Sequence, residues 1–205
     1  MKKEIISINL SKRYETEIKK STFIGLSYVV NSAEEVANIL DKIRQENLSA
    51  THVCFAYKIG ENEQKFDDDG EPQGTAGKPI LECITKKNLC NILVVVVRYF
   101  GGIKLGAGGL VRAYSSTASN VILLSEIKKL ELYKKIKFNL SISENKFVKK
   151  IENDFNFFNT KTIYHNLDIV IETNVHFDFL SNLQQYVNNL LNRSVEIILQ
   201  EDLYL

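Results

Sequence analysis

The chain has 205 residues, 44% of them hydrophobic and 25% charged, with a formal net charge of +1. That composition excludes a disordered chain, suits two domains of about 100 residues, and removes the simplest ground for nucleic-acid binding, a strongly basic protein. The longest apolar run, residues 92–97, is too short to cross a bilayer, and the N-terminus Met1-Lys2-Lys3-Glu4 opens no continuous apolar signal core, so a cytoplasmic location and no membrane partner are expected.

In chain order, residues 23–30 read as a strand. Ser32 then stands three residues before Glu35, the capping-box spacing for a helix start. Val36, Ile39, Leu40 and Ile43 give that helix an apolar stripe. Val53, Phe55, Tyr57 and Ile59 alternate on one face of a second strand. Residues 79–87 suit a short helix with Pro79 in its tolerated first turn. Residues 91–97 read as a buried strand, and 110–124 as a helix turning Leu110, Tyr114, Val121 and Leu124 to the core.

All ten glycines and both prolines lie at or before Gly109. This shift predicts a glycine-rich domain over 1–127 and a second domain over 128–205. Charge does not shift with it, since ten of the 26 basic and ten of the 25 acidic residues lie at or after Lys128. In the second half, Ile136, Phe138, Leu140 and Ile142 alternate as a strand, and 144–154 is helical. Strands follow at 157–164 and around Leu167, Ile169 and Ile171. Residues 179–191 form a helix, and 195–199 close with a strand. The order βαββαβ is the ferredoxin-like pattern, so the expected fold class is α+β. Phe157, Phe158 and Tyr164 could face RNA on that sheet, but core packing is the preferred use. Lys134, Lys135 and Lys137 read as solvated charges. His165 and His176 fall at strand ends, and nothing singles them out.

The chemistry concentrates between Asp67 and Arg112. Gly74, Thr75, Gly77 and Lys78 run into one predicted helix. Arg98, Gly101, Gly102, Lys104, Gly106, Gly108, Gly109 and Arg112 surround the start of another. Glycine lets backbone approach a ligand, helix starts offer unpaired N–H groups, and the four basic side chains add full charge. Together they form a candidate anion cradle; the plainer alternative is tight turns and close packing. The Walker A pattern is not met, because Gly77-Lys78 is followed by Pro79. Asp67, Asp68, Asp69 and Glu71 could hold Mg²⁺ beside a phosphate, against the plainer reading of an acidic turn. His52 and Cys54 could act as base and nucleophile, but residues two apart on a strand sit about 6.5–7 Å apart, so a structural role is preferred. Cys54, Cys83 and Cys90 have no CxxC spacing, and neither zinc nor a disulfide framework is expected.

At these residues, DDGEPQGTAGKPIL followed by NILVVVVRYFGGIKLGAGGLVRAYS resembles the signature of the IMPACT/YigZ family. His52 and Cys54 also stand where that family has a His-x-Cys strand. The resemblance implies an N-terminal domain with the fold of the second domain of a small-subunit ribosomal protein, followed by a ferredoxin-like domain. That pair also occurs near the C-terminus of elongation factor G. Eukaryotic relatives regulate translation initiation through an additional partner-binding domain, which the two domains expected here would not include. Three functions stay open. One is a non-enzymatic protein that binds RNA or the ribosome. The second is an enzyme or sensor for a phosphorylated small molecule or nucleotide, with Mg²⁺. The third is a module whose ferredoxin-like half recruits a protein partner.

Overall fold

The computed structural model describes residues 3–204, so Met1 and Lys2 of the N-terminal reading lie outside the described residues. The chain divides into two units, one over Ile5–Lys129 and one from Leu130 onward that also takes in Lys3 and Glu4.

Within the first unit, β2 (Lys12–Ile18), β3 (Ser21–Val29), β4 (His52–Ile59), β5 (Glu63–Asp67) and β6 (Ile92–Tyr99) form a sheet. Its order is β2-β3-β6-β4-β5, and every pairing is antiparallel. β1 (Glu4–Ile8) touches the segment before β6 through Ile6 and Leu89. The apolar run of β6 is continuous because both its faces are covered. Leu93, Val95 and Val97 pack with Val36, Leu40 and Ile43 of α1 (Ala33–Glu46). Ile92, Val94 and Val96 pack on the other side with α2 (Gly77–Lys86) and α3 (Ala107–Leu124). Full burial of each such side chain is worth about 1.5–3 kcal/mol, so this strand anchors the unit.

β4 divides its residues in the same way. Val53, Phe55 and Tyr57 join the α1 side, and Cys54 and Ala56 join the α2–α3 side. The α1 cap forms as its spacing predicts, with Ser32 Oγ accepting from Glu35 N at 3.2 Å. The Glu35 carboxylate reaches one residue beyond the usual box, to Asn31 N at 2.7 Å. Leu110, Tyr114 and Val121 of α3 are buried, but Leu124 is 48% exposed because it ends the helix beyond the sheet-facing turn.

The second unit orders its strands β10-β7-β9-β8, all antiparallel, from β7 (Ile127–Ser141), β8 (Phe158–Tyr164), β9 (Asp168–His176) and β10 (Ile197–Tyr204). With α4 (Asn145–Asp154) and α5 (Leu180–Leu191), this is the expected βαββαβ arrangement, and the chain is α+β. Ile136, Phe138, Leu140, Ile169 and Ile171 form the core with Val148, Ile151, Leu183 and Val187. Ile142 and Leu167 leave the strand pattern and are exposed, each lying one residue outside its strand. Phe157 packs against the core, whereas Phe158 and Tyr164 are exposed, which corrects the expectation of core packing for those two. The β7 lysines meet acids on neighbouring strands: Lys134 pairs with Asp202, Lys135 with Glu201 and Lys137 with Glu172. Among the described residues, no helix is long and apolar enough to cross a membrane.

Candidate anion site at a helix start

The glycine-rich segment makes two helix starts, and the chain treats them differently. After β5 it turns through Asp69, at φ 43°, and Gly70 before entering α2. Asp68 folds back over that helix start. Its Oδ1 accepts from Ala76 N at 3.0 Å and Gly77 N at 2.8 Å, and its Oδ2 accepts from Gly74 N at 2.7 Å. The donors expected to hold an external anion therefore hold the chain's own carboxylate. Gly77 has a packing reason as well, since a Cβ there would lie 2.5 Å from the Asp67 carbonyl oxygen. Thr75 Oγ1 donates to Pro72 O at 2.6 Å, and Lys78 is exposed.

The other carboxylates go separate ways. Asp67 Oδ1 accepts from Asp69 N at 2.8 Å, and Asp69 Oδ2 accepts from Val53 N at 2.6 Å. Glu71 turns inward to the sheet. Among the described residues, no group of three or more His, Cys, Asp or Glu side chains could hold a metal ion. The possible grouping of Asp67, Asp68, Asp69 and Glu71 around Mg²⁺ does not assemble, because backbone N–H groups and an arginine claim them individually.

Glu71 is the hub of a buried network on the α2–α3 side of the sheet. Its Oε1 accepts from Arg98 Nη1 at 2.5 Å and from Tyr114 Oη at 2.8 Å. Arg98 continues the inward face of β6 after Val94 and Val96. Its guanidinium lies 5.4 Å from the Phe23 ring centre and 5.5 Å from that of Phe100. Arg98 Nη2 donates to Ser21 Oγ at 3.4 Å, and its Nε is buried without a protein partner. His52 Nδ1 meets the Asp69 carbonyl at 2.8 Å. A carbonyl can only accept, so the ring proton sits on Nδ1, and Nε2 faces Glu71 Oε1 at 3.8 Å. Burial pushes the Tyr114 phenol far above its ordinary range, so it stays a neutral donor. Burial, with Glu71, Asp69 and Asp68 nearby, also pushes the Cys54 thiol well up, against the lowering effect of its hydrogen bond with Tyr114. Held as a thiol, Cys54 is a poor nucleophile, and its Sγ donates to Asp68 O at 3.1 Å.

The α3 start is open. Gly106, the N-cap, has φ 73° and ψ 163°, a conformation that essentially only glycine adopts, and no side chain caps the helix. The first amides of a helix have no partner within it, so those of this start are left without one from α3 itself. Gly102, at φ 85°, makes the approach turn. Gly101 is a packing glycine, since a Cβ would lie 1.7 Å from the Lys20 carbonyl oxygen. Gly108 is exposed, takes no positive φ, and would bring a Cβ no closer than 3.6 Å to a neighbour, the guanidinium end of Arg112. The start borders a cleft of about 420 Å³ with His52, Glu71 and Arg98 on its wall and Phe100, Lys104, Leu105, Gly106 and Ala107 along its edge. Phe100 and Lys104 are exposed.

The sequence-predicted residues thus separate into three groups. Gly74, Thr75 and Gly77 surround Asp68. Arg98, Lys104 and Gly106 meet His52 and Glu71 at the open cleft. Gly109 and Arg112 lie beyond Leu105, in a second groove between α2 and α3. Sequence reasoning missed Tyr114 and Phe100 as site residues. The helical spacing of Tyr114 marks it as core, and only its hydroxyl partner tells it apart. Phe100 follows the buried strand directly and is the aromatic step into the glycine loop.

Residues 19–122 match the family model of the Impact N-terminal domain. The chain is 38% identical over 188 residues to the IMPACT family member YvyE of Bacillus subtilis, covering 90% of this chain and 85% of that protein. It is 41% identical over 110 residues to the IMPACT family member YigZ of Escherichia coli, covering 52% of this chain and 54% of that one. A solved structure titled as a crystal structure of a hypothetical protein shares the fold at a TM-score of 0.76 and 23% identity, over 98% of this chain and 99% of that one. The chain belongs to the IMPACT family.

Proposed function

We propose that this protein is a non-enzymatic, translation-linked RNA-binding protein that takes a single-stranded RNA segment at the start of α3. The observation that carries the reading is the uncapped helix start of Gly106 and Ala107 beside a cleft with Lys104 and the exposed Phe100 ring on its edge. Helix-start N–H groups and a lysine suit a phosphate, and an exposed ring suits a stacked base. Gly108 adds to this, since a glycine inside a first helical turn costs roughly 1 kcal/mol against alanine and nothing in the fold demands it here. The translation link rests on the fold pairing and the eukaryotic relatives that the sequence resemblance brings with it, by analogy.

The test is fluorescence anisotropy with a labelled single-stranded 12-nucleotide RNA across a salt series. Wild-type affinity should fall linearly with the logarithm of salt. Lys104→Ala should reduce that slope by about one, and Phe100→Ala should weaken binding by about 1–3 kcal/mol through lost stacking. Absent or salt-independent binding by the wild type would sink the reading.

A second reading, a phosphorylated small molecule or nucleotide as ligand, is favoured by the cleft's size, which lies in the range of about 300–1,000 Å³ usual for such ligands. Calorimetry with a mononucleotide panel, with and without Mg²⁺, decides it. Tighter binding of one mononucleotide than of RNA would replace the first reading, and no heat with any would end the second.

A further inference from the structure

On the far side of Leu105 from the cleft, a groove of about 870 Å³ runs between α2 and α3. Its rim is basic: Lys19 follows β2, Lys86 and Lys87 end α2, and Arg112 stands on α3. Among the described residues, no carboxylate lines it. The nearest acid on α2, Glu82, is one turn from Lys86 in an exposed pair at 3.9 Å. The floor is mainly apolar, built from Ile18, Leu105, Ala113 and Cys83, with Ser115, Ser116 and Ser119 along its α3 side, and Cys83 Sγ donates to the Ser115 carbonyl at 3.4 Å across the two helices.

We infer that this groove binds an acidic amphipathic segment of a partner protein, with aliphatic side chains on the floor and carboxylates on Lys19, Lys86, Lys87 and Arg112. Charge complementarity is one-signed, which steers an acidic partner and disfavours a basic one. The floor decides between the acidic candidates. A free phosphate or a nucleic-acid backbone would satisfy the rim and leave the floor uncovered. Among the described residues, no aromatic ring lines the groove to offer the stacking surface on which single-stranded nucleic acid depends. A peptide with apolar residues at helical or alternate spacing fills both parts at once. The inference stands apart from the RNA reading of the cleft, which uses Lys104 and Phe100 instead.

The test selects a displayed library of random 12-residue peptides on the full chain and measures a selected, labelled peptide by anisotropy. The expected consensus carries several Asp or Glu residues around two or more Leu, Ile or Val. Lys87→Glu and Arg112→Glu should each weaken binding roughly tenfold or more, as reversal of a complementary charge does. Ser116→Trp adds no charge but fills the groove from its exposed α3 edge, and it should abolish binding. Lys104→Ala should leave peptide affinity unchanged. All four substitutions fall on exposed positions, and thermal melts confirm that each variant is folded. The inference is overturned by a selection without an acidic-aliphatic consensus, or by a peptide whose affinity survives Ser116→Trp, which marks diffuse attraction. It is equally overturned if single-stranded RNA competes with the peptide and loses its own binding in the same groove variants.

Discussion

Helices α2 and α3 both begin in glycine-rich chain with a basic side chain close by, yet one start is filled and the other is open. At α2, three N–H groups converge on the Asp68 carboxylate. At α3, Gly106 caps without a side chain, and the first amides border a cleft. The difference teaches that a glycine-rich helix start is free to take an external anion only where the chain supplies no carboxylate of its own. The acidic run explains itself in the same way: Asp68 closes α2, Asp69 ties the turn to β4, and Glu71 braces the wall of the open cleft through Arg98.

The largest effect should come from that wall. Glu71→Ala leaves Arg98 charged and buried without its partner, and should cost about 3–5 kcal/mol in urea unfolding. A loss below 1 kcal/mol would mean that Arg98 finds water or another acceptor. Asp68→Ala orphans the three α2 donors and should cost about 1.5–3 kcal/mol. It should also open the filled start, so sulfate should raise the melting temperature of the variant more than that of the wild type. Equal sulfate responses would show that glycine and N–H groups alone do not make the α2 start a site. Gly106→Ala forces a glycine-only conformation on alanine and should cost about 1–3 kcal/mol by thermal melting, whereas an unchanged melting temperature would mean that the α3 start relaxes freely.

The smallest effect lies in the second unit and serves as a control outside the unit that holds both starts. Arg193 and the Ser141 N–H hold Glu144 down to about 2. The folded value is below the unfolded one, so this stabilisation is present above the ordinary carboxylate range and is lost as pH falls toward 2. Because Arg193 is 40% exposed, the contribution should be about 1 kcal/mol or less. Arg193→Ala should lower stability by that amount in the neutral region, leave it nearly unchanged near pH 2, and so flatten the acid limb of a stability–pH curve.

Much of the fold was legible because its elements bury apolar residues with a clear period. The doubly covered β6 run, the Ser32 and Glu35 cap and the alternation of Ile136, Phe138 and Leu140 all announce themselves locally. β2 and β5 do not. Neither Lys12–Ile18 nor Glu63–Asp67 has a fully buried residue, so no hydrophobic pattern marks them, and they form because neighbouring strands offer them an edge. Leu124, Ile142 and Leu167 kept apolar identity at element ends where the core has already stopped. At the site, sequence located the segment and its donors, but not which donors were already taken. Asp68 reaches Gly77 only after β5 has paired and turned back, and Tyr114 reaches Glu71 only when α3 lies on the sheet.

The most direct test of the account compares the two helix starts in one experiment, a backbone amide NMR titration of the full chain with the single-stranded 12-nucleotide RNA. Progressive shifts of the Ala107, Gly108 and Gly109 amides are expected, with Gly74, Ala76 and Gly77 unmoved. Shifts at the α2 amides, or none at the α3 amides while RNA is bound, would contradict it.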